Sequence, residues 1–263
     1  MGTKVSAGRA RANRRQFLGA AASAFAGATA QGLPSAAPTI KAVAFDAFAI
    51  FDPRSVFRLA EELFPGRGEE LSNQWRTRQF EYTWLRNSMR LYMDFWHVTQ
   101  DALSYAAQQS KLELTAEKSS QLMSAFLRMK PWSDVVAAIE TLRKRGLRLA
   151  LLSNLTPEMM RSCVAASGLQ GMFEFELSTD SVRAFKPDPA AYAMGTEAFH
   201  LEKHEILFVA FGGWDAVGAK AFGYRTYWVN REARPAEQLG ITADEAHRDL
   251  LSLPNFLDVL DRR

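Results

Sequence analysis

Apolar positions fall in two rhythms along this chain. Residues 40–48, IKAVAFDAF, are apolar almost without interruption, the pattern of a strand covered on both faces. From Arg54 to about Lys130 the period becomes helical, in SVFRLAEELF, in the long run from Glu70 to Ser110 and in TAEKSSQLMSAFLRM, with no strand pattern between them. A helical block of this size, placed directly after the first strand, predicts a separate cap over residues 54–130.

Strand and helix patterns then alternate. DVVAAIETLRKRG reads as a helix stopped by Gly146, LRLALLSN as a buried strand, TPEMMRSCVAASG as a helix closed by Gly168, and FEFELST as a strand. DPAAYAMGTEAFH, EILFVAF, WDAVGAKAFG and RTYWVN continue the series as helix, strand, helix and strand. Repeated units of this kind predict an α/β fold with a parallel sheet between two layers of helices, formed by residues 41–53 and 131–263. Ligands of such sheets gather at the carboxyl ends of the strands. The polar residues that end the strands are therefore the candidates for chemistry.

Composition agrees with this size of core. The chain has 263 residues, 48% hydrophobic and 23% charged, enough for one large domain with an insert and incompatible with disorder as its main theme. The formal net charge of +3 is misleading. Residues 1–30 carry Lys4, Arg9, Arg11, Arg14 and Arg15 and no acid, followed by the apolar stretch QFLGAAASAFAGATA with a small-residue ending, Ala28-Thr29-Ala30. This order resembles a secretory signal peptide cleaved after Ala30, and Arg14-Arg15 before Gln16-Phe17-Leu18 resembles the twin-arginine type, so a periplasmic protein is expected. Without those five cations, 27 Lys and Arg face 29 Asp and Glu, a net charge of −2. That balance gives no basis for nucleic-acid or anionic-membrane binding. Beyond the signal no apolar run reaches membrane-spanning length. The single cysteine, Cys163, lies in a helical pattern as a core residue and excludes a disulfide framework.

Four strand ends supply Asp46, Ser153 with Asn154, Lys186, and Asp215. Two carboxylates, a hydroxyl-amide pair and a lysine on one sheet edge make a site for covalent catalysis through an acyl intermediate. His97, His200, His204 and His247 are scattered without metal-ligand spacing, so neither a metal nor another cofactor is expected.

The series FDAF, LLSN, FKPDPAAY and GGWDAVGAKAFG resembles the haloacid dehalogenase superfamily over about residues 41–255. LSNQWRTRQFEYTWLRNSM and RAFKPDPAAYAMG look specifically like the 2-haloacid dehalogenases. The resemblance implies a Rossmann-like core with an inserted helical cap, a small-molecule 2-haloacid substrate and a homodimer formed through the cap. It implies Asp46 as the nucleophile that displaces halide from C2, giving an ester that water hydrolyses to the 2-hydroxyacid. Lys186 would pair with Asp46 and stabilise the oxyanion. Ser153 and Asn154 would bind the substrate carboxylate or orient Asp46, and Asp215 would pair with Lys186 or direct the water. Arg76, with Gln79 and Phe80 as its helical neighbours, would meet the departing halide. Phe48, Phe80, Phe95 and Trp214 are candidates for an aromatic wall, and Tyr192 for a polar pocket contact. Read without the resemblance, a structural ion pair is the lesser alternative for Lys186 and Asp215, and Phe80, Phe95 and Trp214 are equally plain core.

Phosphatases of the superfamily carry a second Asp two residues after the nucleophile and an acidic magnesium ligand near the last motif. Phe48 and Phe211 stand in those places, which favours carbon–halogen over phosphoryl chemistry. The chain also departs from the dehalogenases. Ile50 replaces a usual Thr, and Ala210 and Gly212 replace a usual Ser and Asn that hold the nucleophile and the hydrolytic water. Gly212 and Gly213 would then open room for a water on backbone groups. The alternatives are a magnesium-dependent phosphatase and a small-acid binder without turnover.

Overall fold

The computed structural model describes residues 1, 2 and 40–262. Beyond Met1 and Gly2, the signal segment expected over residues 1–30 lies outside the described residues. Strand β1 (Ala42–Phe45) leads into a single helical turn, α1 (Ala47–Ile50). The chain then builds α2 (Arg54–Leu63), α3 (Gly68–Met89), α4 (Phe95–Gln109) and α5 (Ala116–Ala125) before it returns through α6 (Val135–Lys144) to strand β2 (Arg148–Ser153). Alternation follows in α7 (Pro157–Ser167), β3 (Phe175–Ser178), α8 (Pro189–Phe199), β4 (Ile206–Ala210), α9 (Gly213–Phe222) and β5 (Arg225–Val229). A short strand β6 (Glu245–His247) and α10 (Leu253–Leu260) close the fold.

The sheet is parallel throughout, in the order β3-β2-β1-β4-β5-β6. β1 is central and all four of its residues are buried, which explains why it reads as an unbroken apolar run. Chain order reverses between β1 and β4, and a crevice opens at such a switch point. Asp46 follows β1 and Asp215 lies just beyond β4, so both flank that crevice. Cys163 is buried with its Sγ on the carbonyl of Phe126 at 3.0 Å, a core residue as expected.

Local chemistry revises several sequence boundaries. The strand expected over residues 40–48 ends at Phe45. The carboxylate of Asp46 accepts the backbone N–H of Phe48 at 3.0 Å and caps α1, a contact worth about 1 kcal/mol. Both halves of the apolar run are buried, so hydrophobicity alone could not show the change. The long helical run from Glu70 to Ser110 is broken after Met89, where Arg90 turns left-handed at φ 56° and Asp94 starts a new helix by accepting from His97 N at 2.9 Å. β6 carries polar residues at the sheet edge and has no hydrophobic signature.

The helical block joins the core through two adjacent segments. Phe51 bridges Pro131 in antiparallel fashion, and Asp52 N donates to Lys130 O at 2.8 Å. The entry to the insert and its exit therefore lie side by side next to the turn that carries Asp46. Within the insert, α3 packs on α4, with Trp75 donating to Thr99 O at 2.8 Å and Gln79 to Thr99 Oγ1 at 2.6 Å. These buried polar bonds fix the rotation of α3. Its other face, with Arg76, Thr77, Phe80, Glu81 and Trp84, then looks onto the strand ends.

Candidate active site

Asp46 occupies the first position after the central strand, and both its oxygens are engaged. One accepts the Phe48 N–H; the other, Oδ1, accepts Lys186 Nζ at 2.8 Å. The same ammonium donates to Asp215 Oδ2 at 2.8 Å and to the carbonyl of Leu152 at 3.2 Å. All three donors of a lysine are thus spent, and its side chain is 1% exposed. The loop after β3 delivers this residue, and Asn154 pins it there: Asn154 Oδ1 accepts the Lys186 backbone N–H at 2.9 Å and the Thr179 hydroxyl at 3.2 Å. The amide nitrogen of Asn154 has no acceptor among the described residues, and the residue lines the cavity.

Asp215 sits in the first turn of α9, where the positive end of the helix favours a carboxylate. Its Oδ1 accepts the Tyr192 hydroxyl at 2.7 Å. Burial pushes this carboxyl up to about 6, against the opposing pull of Lys186; the Asp46 carboxylate adds to the rise and the Tyr192 bond lessens it. For Lys186, burial pulls the ammonium down, but Asp215 and Asp46 together hold it above its ordinary value. One cation bridges two buried carboxylates, an arrangement that desolvation makes costly unless every charge is paired.

The cavity over this triad measures about 300 Å³. Phe48 and Phe211 form one wall with ring centres 6.2 Å apart. Phe80 of the insert meets Trp214 of the core at 5.2 Å and stacks on Trp84 at 6.3 Å. Phe95 is fully buried, packs on Phe185 and still borders the cavity. Ser153 lines the floor, its hydroxyl accepting Leu155 N at 3.2 Å. Arg76 reaches the cavity from α3 and lies 3.6 Å from Glu232. Burial, then the neighbouring Arg234, lowers its guanidinium from the ordinary value.

The fold therefore brings together Asp46, Phe48, Arg76, Phe80, Phe95, Ser153, Asn154, Lys186, Trp214 and Asp215. Tyr192 is placed differently from the expectation. It is completely buried behind Asp215 and is absent from the cavity wall, because its hydroxyl is drawn to the buried carboxylate. Gly212 and Gly213 both line the cavity, and on their Cβ side they are closely approached. A Cβ on Gly212 would come within 2.8 Å of Trp214 Nε1, and one on Gly213 within 3.1 Å of Glu237 Oε1. Sequence reading missed the segment after β5, where Asn230, Arg231, Glu232, Arg234 and Glu237 line the mouth. The polar Asn230 at the end of RTYWVN was the available signal, since it ends a strand as Ser153 and Asn154 do. No group of three or more His, Cys, Asp or Glu placed to hold a metal ion occurs among the described residues.

A parallel α/β core that presents a capped Asp after its first strand, and a lysine shared with a second Asp, defines a hydrolase of the haloacid dehalogenase-like kind. The family model of that description, haloacid dehalogenase-like hydrolase, matches residues 40–223, and the chain belongs to this family. It is 43% identical over 206 residues to haloacetate dehalogenase H-2 of Moraxella sp. strain B, covering 78% of this chain and 92% of that protein. It is 42% identical over 206 residues to the (S)-2-haloacid dehalogenase of Pseudomonas sp. strain YL, covering 78% of this chain and 89% of that one. Its fold is similar to that of the L-2-haloacid dehalogenase from Xanthobacter autotrophicus solved with chloropropionic acid covalently bound. The TM-score is 0.78 at 33% identity, covering 84% of this chain and 99% of the other.

Proposed function

We propose that the chain is a hydrolytic dehalogenase that converts (S)-2-haloacids to 2-hydroxyacids through an ester on Asp46. The observation that carries this reading is the Asp46–Lys186–Asp215 array on the floor of an aromatic-walled cavity, with Phe48 where phosphoryl chemistry needs an acid. The names of the relatives and the chloropropionate adduct of the Xanthobacter enzyme support it.

The substrate carboxylate binds at Ser153 and the Asn154 amide. An oxygen of Asp46 forms a bond to C2 as the carbon–halogen bond breaks on the opposite side, inverting the carbon. Halide leaves with the bonding pair toward Arg76. Aromatic walls keep water from the attacking carboxylate, which gives fixed protein dipoles the role of solvent. Water then adds to Cγ of Asp46 and passes a proton to Asp215, a base poised near neutrality. Lys186 stabilises the tetrahedral oxyanion. The acyl C–O bond breaks, the alkoxide takes the proton back from Asp215, and Asp46 returns to a carboxylate by releasing the remaining proton to solvent. The product hydroxyl oxygen therefore comes from Asp46.

The test is halide release from each enantiomer of 2-chloropropionate and from haloacetates in excess EDTA, with Asp46→Asn as control. Halide from the (S) form that survives EDTA and vanishes in the variant supports the reading. No halide, with magnesium-dependent release of phosphate from phosphomonoesters, would replace it with a phosphatase.

Two further expectations belong to this proposal. Export to the periplasm by a twin-arginine signal rests on residues 1–30, and amino-terminal sequencing of the mature chain from a periplasmic fraction tests it. A homodimer through the helical insert is supported by Leu85, Met89, Leu91 and Met93, which are exposed on α3 and the segment after it. Light scattering of the purified protein tests that.

A further inference from the structure

The turn that carries the nucleophile is held from outside its own sequence. The last carbonyls of a helix find no partner within it, and in a one-turn helix this concerns nearly every residue. Phe48 O accepts the indole N–H of Trp132 at 3.0 Å, Ala49 O accepts Arg231 Nη2 at 3.0 Å, and Ile50 O accepts the backbone N–H of Trp132 at 3.0 Å. Ile50 has no hydroxyl to brace the turn locally and is fully buried.

Both external donors are themselves fixed. The Arg231 side chain is 8% exposed, donates from Nη1 to Asp134 Oδ2 at 3.0 Å, and lies with its Cζ 4.4 Å from the centre of the Trp132 ring. Asp134 Oδ2 also accepts Leu250 N at 2.7 Å, which ties the group to the segment leading into α10. Arg231 borders the cavity, and its buried Nε has no partner among the described residues.

We propose that Arg231 and Trp132 are positioning residues that set where the Asp46 carboxylate stands, by clamping the carbonyls of the turn it caps. The inference rests on Asp46 being the nucleophile. Asp46 bonds the Phe48 N–H, and the carbonyl of that same residue is on Trp132. Tilting the turn therefore moves the nucleophile, together with the Phe48 ring, while Ser153 and Asn154, which hold the substrate carboxylate, stay in place. Such a change acts on kcat and leaves KM alone.

Arg231→Lys and Trp132→Phe are compared with the full chain for kcat and KM on (S)-2-chloropropionate, and for amide hydrogen exchange over residues 47–51. Trp132→Phe removes the indole N–H while keeping an aromatic ring and the backbone N–H on Ile50 O, so it decides the matter if Arg231→Lys fails to fold. The expected result is a drop in kcat of about tenfold for Trp132→Phe and about a hundredfold for Arg231→Lys, the scale of a misplaced reacting group. KM stays unchanged and exchange over residues 47–51 speeds up. Unchanged kcat in the folded variants, or a change confined to KM, overturns the proposal. If the unsubstituted chain releases no halide, the dehalogenase reading fails by itself and the exchange data alone decide: faster exchange in the variants upholds the clamp, unchanged exchange removes it.

Discussion

The Nζ of Lys186 lies 2.8 Å from Oδ1 of Asp46, although 140 residues separate them in the chain. A second contact of the same length, to Asp215, makes this lysine the cation shared by two buried carboxylates. Replacing Lys186 with Met leaves those carboxylates facing each other without a cation. The expected outcome is a stability loss of about 3–5 kcal/mol, the scale for breaking a buried pair. Halide release should vanish as well. Urea unfolding and the halide assay measure the two effects separately.

Asp215 gives the reaction its acid limb. Its carboxyl stands at about 6 in the fold against 3.8 ordinarily, and as the base for water it must be ionised. Activity is therefore lost as pH falls through about 6. The Tyr192 hydroxyl lowers this value, so Tyr192→Phe moves the limb to higher pH in a kcat profile; a limb that stays put would show that Asp215 is not the base. Stability runs the other way for this group. Between 3.8 and about 6 the folded chain holds a proton that the unfolded chain has released, so the contribution of Asp215 declines as pH rises through that window.

Gly212 and Trp214 exclude one another's bulk. A side chain at position 212 meets the indole at 2.8 Å, so Gly212→Asn pushes Trp214 away from Phe80. The expected cost is about 1–3 kcal/mol of overpacking, with altered tryptophan fluorescence. Unchanged fluorescence and thermal stability would show that the indole yields without cost.

Arg76 is the cation that the insert brings to the cavity, and Glu232 lies close enough to compete for it. Arg76→Ala is expected to lower kcat on chloropropionate by about 100–1000-fold, the scale for removing one group that stabilises developing charge. Its fold should survive, because α3 is anchored through Trp75 and Gln79 on its other face. Circular dichroism and steady-state kinetics check both parts.

Asp46, Lys186 and Asp215 were legible in the sequence because each follows a recognisable strand, and a parallel sheet places all such ends on one edge. The apolar run before Asp46 and the alternation after residue 131 likewise determined the sheet and the helical insert. The distances among these groups were not legible. Which oxygen of Asp215 meets Lys186 depends on the rotation of α9 against α8, and that rotation puts Tyr192 behind the carboxylate rather than in the pocket. The arginines after β5 carried no periodic signal, since they lie in a segment without helix or strand. No pattern in the sequence marks Trp132 or Arg231, which folding sets against α1. Sequence periodicity specifies which face of each element is buried, and so the elements and their ends. Only packing decides which buried polar atoms find each other, because those partners are distant in the chain and no local pattern records them.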